Sequence, residues 1–203
     1  MNLIAVVADA DAEWTLRTLL VERQAALSIR PLESQVVRNP GRDAGVFRQA
    51  PDLLRPYLNR ADYALVMLDR EGSGVEARFS AEEMERDIEA RLIRNGWTTL
   101  AGTQRACAIA LEPELEVWVW SQSPHVPGIL GLTSDQLQSV LAEFPRLANG
   151  KPQRPKEAML AALRVSHRPP SSRIFQELAQ TVSLQSDERA FAKLRHTLQA
   201  WFG

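Results

Sequence analysis

The chain has 203 residues, 45% of them hydrophobic, and a formal net charge of −1, which are typical of one globular domain, alone or with a helical appendage. No apolar run approaches the roughly 20 residues that span a bilayer, and the first apolar stretch lacks the basic start of a signal peptide. The single cysteine, Cys107, excludes an internal disulfide, so we expect a cytoplasmic protein with no membrane association.

Segments typical of strands and helices alternate through the first 120 residues. In chain order, we predict a strand at 3–8, a helix at 13–24, short strands at 26–30 and 34–38, a loop at 39–45 and a helix at 51–58. A buried strand at 63–68, a helix from about 80 to 95 and a third buried strand at 106–111 follow. Residues 112–120 should begin a helix or a strand–helix corner.

Only helices are predicted after residue 125. Capping residues and apolar spacing place them at 133–144, 156–165, 172–181 and 187–201. Alternating strands and helices favour an α/β fold with a mainly parallel central sheet flanked by helices, as in Rossmann-like proteins. We therefore predict an α/β domain at 1–125 and an all-helical C-terminal region at 126–203 packed on it.

Acidic residues follow two of the predicted strands. Asp9 and Glu13 come after the first, and Asp69 and Glu71 after the strand at 63–68. Ligands of parallel sheets bind at the carboxyl ends of the strands, so neighbouring strands would bring these four carboxylates together. Mg²⁺ or Mn²⁺ would relieve their repulsion. The alternative is structural, with a helix cap at the first cluster and a polar turn at the second.

A third acidic cluster follows the strand at 106–111 and contains Glu112, Glu114 and Glu116. Its spacing places all three carboxylates on one face of an extended segment, or Glu112 and Glu116 together on a helix, and we select Glu116 as a third metal ligand beside Asp69 and Glu71. Trp118 and Trp120 come directly after it and are better explained as core residues. A purely structural role for Glu116 stays open.

Positive charge is concentrated in the last quarter of the chain. Residues 1–150 have a charge balance of −6 and residues 151–203 one of +5. An acidic metal site next to a surface that contacts phosphates would have this distribution, as would ordinary solvated helices. Candidate phosphate-binding residues are Arg70, Lys151 and Lys156.

The acidic motifs together resemble the Toprim domain, in particular small Toprim-like bacterial proteins related to the overcoming-lysogenization-defect nucleases. The corresponding segments are Asp-Ala-Asp-Ala-Glu at 9–13, Asp-Arg-Glu at 69–71, Glu-Val-Trp-Val at 116–119 and Arg-Pro-Lys-Glu at 154–157. The resemblance implies an Mg²⁺-dependent, nuclease-like protein that processes phosphodiesters of nucleic acid, with a partner ATPase and a role in phage defence. Catalytic residues would be Asp9, Glu13, Asp69 and Glu71.

The chain also departs from that family. Asp9-Ala10 stands where the family has Glu-Gly, and Glu71 stands where it has aspartate. A catalytically degenerate Toprim fold, acting as an interaction subunit of an ATPase-containing complex, is therefore the alternative hypothesis. A third hypothesis is a nucleotide-binding module that uses Gly72 and Gly74.

Other chemistries find little support. The three histidines are far apart in sequence and lack zinc-ligand or triad spacing. No phosphate-binding loop of the Gly-x-x-x-x-Gly-Lys type is present, which argues against ATP hydrolysis by this chain.

Overall fold

Four parallel strands form the centre of the protein in the computed structural model, which describes residues 1–99, 101–121, 123–182, 184 and 188–203. The strands lie in the order β2-β1-β3-β4, and this arrangement confirms the predicted α/β class. Their bounds are Leu3–Val7 for β1, Ser34–Arg38 for β2, Tyr63–Asp69 for β3 and Ala106–Leu111 for β4.

Helices cover both faces of the sheet. On one face, α3 (Arg42–Leu54) and α4 (Ala81–Arg94) pack against side chains such as Ile4 and Val66. The other face shares a core with α1 (Ala10–Glu22) and with the C-terminal helices. Burial on both sides explains why these strands are continuous apolar runs.

The predicted strand at 26–30 is wrong. Residues Gln24–Leu27 form α2, a single helical turn that follows α1 after Arg23. Ser28 then adopts a left-handed conformation, with φ at 57°, and its N–H bonds back to the carbonyl of Ala25. The helix therefore ends in a left-handed C-cap rather than in a strand.

The predicted loop at 39–45 is wrong from residue 42 onward, because α3 begins at Arg42. The predicted helix at 51–58 is helical as expected but begins too late: α3 ends at Leu54, and a 3-10 turn at Arg55–Tyr57 follows it. Pro51 lies inside this helix and lacks the N–H that the carbonyl of Phe47 would otherwise accept. The guanidinium of Arg91 donates to that carbonyl at 2.7 Å. A proline that usually ends a helix is accommodated here by a side chain from α4.

The chain after residue 112 is helical as predicted. A 3-10 turn at Leu115–Trp118 precedes α5 (His125–Ile129), α6 (Ser134–Leu141), α7 (Pro155–Val165), α8 (Ser172–Thr181) and α9 (Arg189–Phe202). The predicted start of the last helix, Asp187, lies outside the described residues. Among the described helices, none has both the length and the apolar character required to cross a membrane.

Candidate metal centre

The acidic ends of β1 and β3 are neighbours. The two strands pair in parallel, with Val7 opposite Met67, so both chains leave the sheet at the same edge. Asp69 is the last residue of β3, and Asp9 follows β1 by two residues. The structure thus has the strand arrangement that the predicted site requires.

Three carboxylates converge at this edge. Asp69, Glu114 and Glu116 each offer an oxygen atom, and these atoms all lie within 4.8 Å of one another. We name this group the acidic trio. The two glutamates are buried, with 6% and 5% of their surfaces exposed.

The segment after β4 is attached to β3 by hydrogen bonds. The N–H of Leu115 donates to Asp69 Oδ1 at 2.9 Å, and the N–H of Glu71 donates to the carbonyl of Pro113 at 3.0 Å. Because Leu115 lies between the two glutamates, the first of these bonds places both beside Asp69. The trio is therefore built by the pairing of β3 with β4.

Lys156 faces the trio from the first turn of α7. Its Nζ lies 3.3 Å from Glu116 Oε1 and 3.7 Å from Glu114 Oε2, and its N–H donates to Glu114 Oε1 at 2.9 Å. The helix N-terminus adds positive potential at the same place. The predicted phosphate contact Lys156 is thus an ion-pair partner of two trio members.

Burial and crowding raise the pKa values of the acids. Burial raises the pKa of Asp69 well above its ordinary value, and the charges of Asp43, Glu116 and Asp9 raise it further. Burial, followed by the charge of Glu116, raises the pKa of Glu114 from 4.5 to about 7. A site of this kind favours a proton or a cation in place of free carboxylates.

Two residues of the centre were not selected from the sequence. Glu114 belongs to the third acidic cluster, and its spacing of two residues from Glu116 is the sequence feature that indicates it. Asp43 lies in the first turn of α3, and its Oδ1 accepts the N–H of Asp69 at 2.8 Å. Asp43 had no such signal, because the segment around it was predicted to be a loop.

The remaining predicted acids lie around the trio. Asp9 is the N-cap of α1, where Oδ1 accepts the N–H of Ala12 at 2.9 Å. Glu71 is exposed at the rim, and its charge contributes to the raised pKa of Glu114. Neither belongs to the trio.

Glu13 points away from the trio and binds two arginines. Its carboxylate oxygens lie 2.7 Å from Arg17 Nε and 2.8 Å from Arg38 Nε. Its role here is to hold these guanidinium groups.

The other two predicted phosphate contacts stabilise loops. Arg70 donates to the carbonyls of Phe79 at 3.0 Å and Glu76 at 2.5 Å. Lys151 Nζ donates to the carbonyl of Val117 at 2.9 Å. Both side chains are partly buried in these contacts.

The trio fits a hard divalent cation by its chemistry and its spacing. All its donors are carboxylate oxygens, which Mg²⁺, Mn²⁺ and Ca²⁺ prefer over nitrogen and sulfur. Two oxygens on opposite sides of such a cation, with bonds of about 2.1–2.4 Å, lie about 4.2–4.8 Å apart. The oxygens of the trio lie within 4.8 Å of one another, which is close enough for one cation to contact all three.

Comparisons of the chain with protein-family models, with curated proteins and with solved structures found no match. The function is therefore argued from the geometry of the site.

Proposed function

We propose that this protein is a Toprim-type enzyme that uses Mg²⁺ or Mn²⁺ to process phosphodiester bonds of nucleic acid, in phage defence and together with a partner ATPase. The observation that carries the proposal is the acidic trio at the carboxyl edge of a parallel sheet. Ligands of such sheets bind at this edge.

The chain's own residues divide the work of the site. Asp69, Glu114 and Glu116 would hold the cation, which when bound supplies Lewis acidity and charge neutralisation at the phosphate. Lys156, whose side chain is half exposed, adds positive charge for a phosphate beside the trio. Asp9 lies at the end of the neighbouring strand and is the candidate general base.

Asp9 is suited to that role by its contacts. Only Oδ1 is used in the helix cap, and Oδ2 has no hydrogen-bond partner among the described residues. The side chain is partly exposed, so a water molecule can reach it. A carboxylate in this position can accept a proton from an attacking water.

An interaction subunit without catalysis is the second candidate. One observation favours it: the ammonium group of Lys156 already compensates Glu114 and Glu116, so the folded centre does not depend on a cation. In this hypothesis the fold serves to bind the ATPase.

Calorimetric titration with Mg²⁺ and with Mn²⁺ separates the two candidates. We expect one cation site in the unmodified protein and affinity at least about tenfold weaker in Asp69→Asn and Glu116→Gln, because each loses a charged ligand. Glu112→Gln is the matched control, since this exposed glutamate on the same segment is not part of the trio.

The rate at which each of these proteins cleaves a labelled oligonucleotide should rank in the same order as its cation affinity. The absence of both binding heat and cleavage in the unmodified protein would contradict the enzyme and favour the interaction subunit.

A further inference from the structure

An open groove crosses the ends of β1 and β2 and reaches Lys156, the ion-pair partner of the trio. It has a cavity volume of about 920 Å³. Asp9, Asp11 and Lys156 line it at the first turns of α1 and α7. Arg38, with its partner Glu13, and Arg42 line it at the end of β2 and the start of α3. The groove therefore joins the acidic centre to a basic wall.

Arg42 is the cation of that wall whose side chain makes the fewest polar contacts among the described residues. Its side chain is exposed, and the guanidinium has no hydrogen bond or ion pair with any residue in the described ranges. Its φ of 51° is in the left-handed region, which glycine adopts at lower cost than arginine. Backbone geometry alone does not account for an arginine at this position.

Arg38 is held in place with its binding atoms free. Glu13 Oε2 lies 2.8 Å from its Nε, and the two terminal nitrogens make no hydrogen bond with any residue that the structure describes. More than half of the side chain, 58%, is exposed. Guanidinium nitrogens bind phosphate oxygens well, and the pair with Glu13 holds this guanidinium with its terminal nitrogens available for such a contact.

The distance between the two ends of the groove bears on how many phosphates its ligand carries. Strand β1 lies between β2 and β3, so Arg38 and Asp69 are two strand spacings apart, or about 10 Å. This separation of the strand backbones leaves room for a ligand that carries more than one phosphate. We infer that Arg42 and Arg38 bind a second, uncleaved phosphate of a nucleic-acid strand whose reacting phosphodiester lies at the trio.

This inference rests on the proposed function and specifies its substrate as a strand rather than a mononucleotide. The arginines of the basic wall also have an electrostatic role. The trio, Asp9 and Asp11 repel a polyanion, and arginines at a fixed distance along the groove offset that repulsion.

Binding of a fluorescein-labelled oligodeoxythymidylate, followed by fluorescence anisotropy, tests the inference. We compare the unmodified protein with Arg42→Gly and Arg48→Ala, in Ca²⁺ to prevent cleavage and separately in EDTA. Glycine suits the backbone at position 42, so this variant should fold. Arg48 is an exposed arginine on the same helix that does not line the groove, which makes it the control for lost charge.

We expect Arg42→Gly to weaken binding about tenfold or more, because a charge-assisted contact is lost. The slope of log affinity against log salt should fall in magnitude by about 0.7, the value for one single-strand phosphate contact. Arg48→Ala should bind as the unmodified protein does. Thymidine monophosphate should compete far less strongly than the unlabelled oligonucleotide.

Equal affinities in the two variants, or equal competition by the mononucleotide, would overturn the inference. Absence of oligonucleotide binding in both Ca²⁺ and EDTA would overturn it as well. The cation titration is independent of these results. If the unmodified protein binds no cation, the proposed enzyme is refuted. If it binds a cation but Arg42→Gly and Arg48→Ala bind the oligonucleotide equally well, only the strand-binding groove is refuted.

Discussion

Lys156 is the counter-ion of the acidic trio within the folded chain. Burial alone would lower the pKa of its ammonium group, but the charges of Glu116 and Glu114 raise it above the ordinary value. The lysine therefore remains charged and compensates two carboxylates that are otherwise buried together. A divalent cation in the trio would replace Lys156 as the partner of both.

We predict that Lys156→Met lowers the melting temperature in EDTA at pH 8, because the two glutamates lose their positive partner. Added Mg²⁺ should then raise the melting temperature more in this variant than in the unmodified protein, since binding to the native state stabilises it. Differential scanning calorimetry measures both effects. Equal Mg²⁺-induced shifts would show that the lysine and the cation do not share these carboxylates.

The outer edge of β4 is covered by side chains instead of another strand. Glu89 and Glu85 of α4 accept the N–H groups of Ala108 and Ala110 at 3.0 and 2.8 Å. Arg189 of α9 donates to the carbonyl of Ala110. These contacts satisfy backbone groups that would otherwise pair with another chain, so α4 and α9 protect the sheet from edge-to-edge association.

Glu85 is the centre of this cover. Its buried carboxylate also pairs with Arg189 and Lys193, each at 3.0 Å. We predict that Glu85→Ala lowers the free energy of unfolding by about 1–3 kcal/mol, because it leaves the N–H of Ala110 without its acceptor, while Arg189 and Lys193 keep their ion pairs with Glu82 and Glu89. Urea denaturation gives the value.

The control is Glu82→Ala. Glu82 lies on the same helix and pairs with the same Arg189 at 3.0 Å, but its side chain is 52% exposed. An exposed ion pair contributes up to about 1 kcal/mol, so this variant should remain near the stability of the unmodified protein. Similar losses in the two variants would contradict the role given to burial at Glu85.

The whole molecule should depend on pH through the acids that it brings together. Burial raises the pKa values of Asp11, Asp43, Asp69, Glu114 and Glu116. A carboxyl whose pKa is higher in the folded than in the unfolded state retains its proton longer in the folded state. Such a group therefore makes the folded state less stable as pH rises between the two pKa values.

For Glu114 the relevant window runs from pH 4.5 to about 7. In EDTA, we predict that the unmodified protein loses stability across this window relative to Glu114→Gln, which has no proton to lose at that position. Thermal unfolding of both proteins at pH 5 and pH 8 measures the difference. A stability difference that does not change with pH would contradict the raised pKa.

Local pattern determined much of the fold. Uninterrupted apolar runs are required by strands that are buried on both faces, and they predicted β1, β3 and β4 at nearly their observed bounds. The same approach missed the start of α3, because Pro51 indicates the beginning of a helix, whereas Arg91 of another helix accommodates this proline inside α3. A compensation between distant residues has no local signature.

The sequence by itself determined which carboxyl groups lie at strand ends, since that depends only on where apolar runs stop. Only the tertiary structure decided which of them meet. Strand order places Asp69 beside Glu114, Glu116 and Asp43. Glu13 instead pairs with two arginines, and Glu71 lies exposed at the rim. Charges that are far apart in the sequence act on one another only through their distance in space, and the pairing of parallel strands sets that distance.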